Sequence, residues 1–166
     1  MMKFLFYALY GCNLLLLLGG LLLPSSVAVH FSLSGEPDRW MNRDVFLLSW
    51  ALYCSFMALL FALGASGKMP LSSRFCNIPS KKYWLNPSRI DKARTMLSRL
   101  LYEGGAGLFL FLGGLFLLLL QAHAKQPPLL SLPLFFLLLA IFLGGLLFWI
   151  LRFYRAFRPP RTNIEE

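Results

Sequence analysis

The chain has 166 residues, of which 58% are hydrophobic and only 14% charged, where a soluble domain carries roughly 25% charge. Its formal net charge is +9, and the basic residues are confined to short polar stretches between apolar runs of about 20 residues. This pattern excludes a soluble globular domain, and it assigns the charge to an anionic membrane surface and not to nucleic acid. Three cysteines without a CxxC pair give no disulfide framework and no metal knuckle, so Cys12, Cys54 and Cys76 are expected as small apolar fillers.

Four spans are predicted. The first covers residues 4–23, behind Lys3. It is longer than a signal-peptide core and no small-x-small site follows it at once, so it is expected to stay as an uncleaved helix. The second covers 45–65, with Asn42 or Asp44 as its cap and Gly64, Gly67 and Pro70 at its exit. Ala58, Ala62 and Ser66 form a narrow stripe along it where another helix can approach. The third covers 100–122 and holds Gly104, Gly105, Gly107, Gly113 and Gly114. The fourth covers 132–153, with Pro133 in the first turn and Gly144 and Gly145 at mid-span. A GG doublet recurs in spans one, three and four, which in such Leu-rich sequence is weak support for an internal repeat.

Arg39, Arg43 and Lys125 fall in the first and third loops. The other thirteen of the sixteen Lys and Arg residues fall in the second loop, near the termini or at the adjoining span ends. Basic excess marks the cytoplasmic side. The expected fold is therefore all-α: one integral membrane domain, 1–166, with four transmembrane helices and both termini cytoplasmic. It has an outer loop 24–44, an inner loop 66–99 and a cytoplasmic tail 154–166.

Two loops carry chemically specific residues. The outer one reads LPSSVAVHFSLSGEPDRW. SGEPD is a turn signal, with Gly35 and Pro37 supplying the bend. VAVHF before it is extended in character, and Trp40 suits the headgroup region. His30, Glu36 and Asp38 are the types that bind metals, but they are spread over nine positions, and a hydrogen-bonded surface turn is expected in place of a metal site. The inner loop contains NIPSKKYWLNPSR. Nucleic-acid readers interleave basic and aromatic residues in this way, yet a segment tethered by spans on both sides points to interface anchoring. In that arrangement Tyr83 and Trp84 sit at headgroup depth and Lys81 and Lys82 reach phosphate. Asn86 as cap and Pro87 in the first position then start a short amphipathic helix. Its apolar side is Ile90, Ala93, Met96, Leu97 and Leu100, and it lies on the inner leaflet and feeds the third span. Glu103, just inside that span, is expected to pair with Arg99 one turn earlier. An acid at such a depth also raises a substrate or proton role, or a contact with a partner subunit.

Both loops carry a resemblance. Pro24, His30, Phe31, Gly35, Glu36, Pro37 and Asp38 resemble the pattern that follows the first span in a bacterial membrane domain of unknown function. That domain also stands at the front of the SdpI toxin-immunity and signalling family. Asn77, Ile78, Pro79, Tyr83, Trp84, Leu85, Pro87 and Arg89 are similar to its N-I-P-N-x-x-Y-W-L-x-P-x-R stretch, with Ser80 where Asn is common and Lys82 where an acid is frequent. The resemblance, over about residues 10–120, implies a bacterial inner-membrane location and no reaction. The further C-terminal spans of the immunity proteins have no counterpart here.

The apolar spans hold few polar groups beyond Tyr7, Tyr10, Asn13, Ser49, Tyr53 and Ser55. They contain no HExxH motif and no acid or Ser–His pair of the kind intramembrane hydrolysis requires. The expected function is a non-catalytic accessory subunit or signalling or immunity-like component acting through its loops, with no cofactor and no metal. A small-solute or ion transporter working as an oligomer is the alternative, and a membrane enzyme is the least favoured. Expected partners are anionic headgroups on the cytoplasmic side, with a membrane protein or a second copy of the chain. The candidate contact residues are His30, Gly35, Glu36, Asp38, Asn77, Pro79, Tyr83, Trp84, Pro87, Arg89 and Glu103.

Overall fold

The computed structural model describes residues 1–68, 71 and 76–160. Pro70 at the exit of the second span, and Arg74 and Arg161 of the basic count, lie outside the described residues, as does the end of the tail from 161 to 166. The elements are α1 (Met2–Gly20), β1 (Ser26–Phe31), β2 (Pro37–Asn42), α2 (Arg43–Ala65), α3 (Lys81–Trp84), α4 (Ile90–His123) and α5 (Leu132–Ala156). The four long helices are apolar and long enough to cross a bilayer. The chain is a multi-pass membrane protein.

Two features depart from the sequence expectations. The loop between α1 and α2 is an antiparallel hairpin, β1 against β2, so the helical frame carries a small piece of sheet. The segment predicted as a short interfacial helix is not a separate element. Its residues form the first turns of α4, a single helix of 34 residues and about 51 Å, well beyond the roughly 30 Å hydrocarbon layer. Asn86 does not cap that helix itself. Its Oδ1 accepts from the Ser88 amide at 3.0 Å and closes a turn before Ile90.

The helix ends have local causes. Of the two candidate caps for α2, Asn42 serves. Its Oδ1 accepts from the amides of Asp44 at 2.9 Å and Val45 at 3.3 Å. Arg43 then reaches back to the end of α1, where Nη1 donates to the carbonyls of Leu21 at 3.2 Å and Leu23 at 3.3 Å. Carbonyls at a helix end have no partner within the helix, and this guanidinium supplies one.

Helix α4 packs against each of the other long helices, whereas α5 packs mainly against α4. Near the start of α1 the fully buried Phe6 ring lies 5.3 Å from the Tyr102 ring and 5.4 Å from the Phe109 ring. Gly105 makes room for it: a methyl there would meet Phe6 Cε2 at 2.5 Å. On α2 the small buried residues are Cys54, Ala58 and Ala65. The expected stripe is therefore met at Ala58, while Ala62 is half-buried and Ser66 is exposed at the helix end. Asn13, 2% exposed, bridges α1 to α4 by donating to the carbonyls of Leu9 and Phe109, both at 2.9 Å. The three GG doublets meet different surroundings. Gly20 faces Leu47 and Phe116, Gly114 faces Leu138, and Gly144 and Gly145 face open space.

The glycines separate packing from mere apolar content. Gly105→Leu is expected to destabilise the bundle by about 1–3 kcal/mol through overpacking. Gly107→Leu, at a position with nothing within 4 Å, is expected to leave stability unchanged. Thermal melts of the two variants in the same detergent check the contrast.

Candidate functional site

Each end of the bundle carries one of the patterned segments. At the hairpin end, strand register runs from Ser26 opposite Asn42 to Phe31 opposite Pro37, with irregularities on either side of His30. One extra residue on each strand restores the overall register. Such bulges re-aim side chains, and here His30 Nδ1 and Asp38 Oδ1 come within 2.5 Å, both exposed. Glu36 is exposed at the turn, where its carbonyl accepts from the Ser32 amide at 2.8 Å. Among the described residues no three His, Cys, Asp or Glu side chains come together as a metal site.

The hairpin is held to the helices through its backbone. Gly35 is buried with φ +85°, and its carbonyl accepts from the Leu130 amide at 2.9 Å. A side chain there would be strained by the positive φ, and its Cβ would fall 2.6 Å from the Leu130 oxygen. His123 at the end of α4 supplies a second tie. Its Nε2 lies 3.0 Å from the Ala28 nitrogen and its Nδ1 2.9 Å from the Leu119 oxygen. Accepting from an amide at one nitrogen and facing a carbonyl at the other fixes the neutral tautomer with its proton on Nδ1. A third tie joins the Arg43 amide to the Ser25 carbonyl at 2.9 Å.

At the other end, the NIPSKKYWLNP segment packs into the protein. This corrects the expectation that Trp84 anchors at the headgroups. Its side chain is buried, its Nε1 donates to the Phe157 carbonyl at 2.9 Å, and its ring meets the fully buried Phe157 ring edge-on. Leu71, Cys76, Ile78, Ala93 and Leu100 belong to the same cluster. Lys81 also turns inward, donating to the Cys76 carbonyl at 2.8 Å. Burial pushes the Cys76 thiol pKa up, and the nearby Lys81 charge offsets part of that rise. Tyr83 is half-buried beneath the Arg89 guanidinium, 4.1 Å from the ring centre. Asn77, Lys82 and Pro87 are exposed, and Pro79 is intermediate.

Ser80 heads the single turn α3 in the left-handed conformation, φ 53° and ψ 40°. Asn is among the few residues other than Gly that adopt it readily. An Asn here would meet less strain than Ser.

Glu103 pairs with Arg99 as expected, Nε to Oε1 at 3.0 Å. It also pairs with Arg152 of α5, Nη2 to Oε1 at 3.2 Å and Nη1 to Oε2 at 2.8 Å. The Glu103 side chain is 11% exposed, and a carboxylate so enclosed is costly unless paired. Trp149 lies beside it, with Nε1 donating to the Leu100 carbonyl at 2.9 Å and the indole against Gly104, where a Cβ would come within 3.1 Å.

Sequence reasoning missed Arg152, His123, Arg43 and Phe157 as contributors. Arg152 had a readable signal. Glu103 and Arg152 are nearly equidistant from the short α4–α5 connection, so an antiparallel pair of helices places them at one depth. His123 and Phe157 had none, because their partners are backbone groups fixed only by the tertiary fold.

Ser80→Asn and Ser80→Gly are each expected to raise stability by roughly 0.5–1 kcal/mol by relieving the left-handed residue. Ser80→Val is expected to lower it, since a β-branched residue fits this conformation worst. Thermal midpoints of the three variants in detergent give the order.

One family model matches the chain, over residues 11–53, and it is described as a domain of unknown function, DUF1648. The match runs from the middle of α1, through the hairpin, to the middle of α2. It takes in His30, Gly35, Glu36 and Asp38, and it ends before the NIPSKKYWLNPSR segment. No curated protein and no solved structure matches the chain. Residues 11–53, about a quarter of the chain, thus carry the DUF1648 domain at its helix–hairpin–helix unit.

Proposed function

We propose that this is a non-catalytic protein of a bacterial cell membrane that contacts a membrane-protein partner through its outer hairpin, as an accessory subunit or signalling component. Both termini and the basic loop face the cytoplasm in this reading, which follows the distribution of Lys and Arg. The observation that carries it is the way the hairpin is held. Backbone ties at Ser25, Ala28 and Gly35 fix it to the helices. It leaves Leu33 87%, Trp40 49% and Met41 38% exposed, along with the His30–Asp38 pair. A rigid presentation of aromatic and apolar groups lowers the ordering cost of association, and Trp is a frequent anchor at protein interfaces.

The inner segment takes a different part. Its aromatic residues are committed to the Phe157 cluster, so it braces the bundle, and contact with a partner falls mainly to the hairpin. Transport ranks lower. The amide nitrogen of Asn13, the buried polar group of α1, is engaged by two backbone carbonyls as a helix-to-helix link.

Extraction in mild detergent and affinity purification of the full chain test the proposal. A stoichiometric membrane-protein partner is expected to co-purify. Trp40→Ala combined with Asp38→Ala is expected to lower its retention at least about tenfold, as loss of a central anchor does, with an unchanged thermal midpoint. A lone monodisperse monomer from native membranes overturns the reading. A reporter fused to the C-terminus is expected to be active only in the cytoplasm, and activity outside reverses the orientation.

A further inference from the structure

Helix α5 packs mainly against α4, so its approach to α2 is left incomplete. Between them, over the face of α4, lies a crevice of about 610 Å³. Its walls are Phe61 of α2, Gly107 and Phe111 of α4, and Phe142 and Gly145 of α5, and its charged end is Glu103 beside Trp149. The size falls within the roughly 300–1,000 Å³ of small-molecule sites. A Cβ added at Gly107 or Gly145 would meet nothing within 4 Å. These glycines serve no helix contact, and they widen the recess.

The charged end is built and not incidental. Glu103 is 11% exposed, while its partners Arg99 and Arg152 keep 64% and 42% of their side chains exposed. Two cations and one anion leave a net positive charge there. A guanidinium has five donor hydrogens, and Glu103 occupies only part of each set. The depth agrees as well. From Glu103 to His123 at the end of α4 the rise is about 30 Å, one hydrocarbon thickness. The ion pairs therefore stand at the headgroup boundary, with the apolar recess extending from them into the layer.

We infer that this crevice is a binding site for one anionic phospholipid. An acyl chain lies along Gly107 and Gly145, and the headgroup phosphate takes the outward donors of Arg152. Glu103 is a positioning residue that holds the Arg152 guanidinium at the mouth. The inference goes beyond the partner reading and does not depend on it.

The test is native mass spectrometry of the full chain after incubation in detergent with equimolar phosphatidylglycerol and phosphatidylcholine of identical chains. One retained lipid is expected, with the glycerol lipid favoured about fivefold, the weight of one cation beside an anionic headgroup. Arg152→Gln, which leaves Glu103 paired with Arg99, is expected to bring that ratio close to one while a lipid is still bound. Gly145→Leu and Gly107→Leu each put a branched side chain into the recess at a position where a Cβ meets nothing within 4 Å, and are expected to abolish retention of both lipids, with circular dichroism and thermal midpoint confirming the fold. Equal retention of the two lipids by the wild-type chain overturns the inference. So does retention that survives both glycine variants, or a lipid-free dimer that either variant dissolves, which would assign the crevice to a second copy.

Discussion

Helices in a bilayer gain little by exchanging lipid for leucine, so association must come from close backbone approach and from polar bonds. In this protein most of those bonds run from a side chain to a backbone group. Asn13 donates to Phe109, Trp149 to Leu100, Trp84 to Phe157, and Arg43 to Leu21 and Leu23, while His123 accepts from Ala28. Each joins segments distant in sequence, and several satisfy carbonyls or amides at the end of an element. The polar groups that the apolar medium makes costly become the points of attachment.

This constraint explains the central place of α4. Phe109 and Leu100 offer carbonyls to other helices, His123 ties down the hairpin, and Glu103 receives Arg152. Its glycines divide by use. Gly105 admits Phe6 and Gly104 admits Trp149, whereas Gly107 faces open space. A glycine-rich span is therefore not uniformly a packing surface, and the neighbours decide which glycine carries contact.

The four spans were legible because apolar runs of bilayer length with basic ends suit helices that cross lipid and little else. The turn at SGEPD was legible from Gly35 and Pro37, and the pairing of Glu103 with Arg99 from helical spacing. The hairpin was only half legible. The segment before the turn reads as extended, but PDRWMN after it lacks the alternation of a half-buried strand, since nearly all of β2 is exposed. The burial of Trp84 was hidden because the same residue type serves at a membrane interface and in a core. Its partner Phe157 lies 73 residues away. The continuity of α4 was hidden because an amphipathic start and an apolar continuation read as two elements when one helix projects beyond the lipid.

The bond between Trp84 and Phe157 bears on the order in which the chain is made. The indole proton of Trp84 and the Phe157 carbonyl that accepts it lie before and after two membrane spans in the chain. While the ribosome is still producing α4, the acceptor has not been synthesised, and the segment around α3 lacks its lining. The segment around α3 therefore reaches its final form only after α5 has been made and has delivered Phe157. The last span closes a piece of structure whose residues left the ribosome long before it.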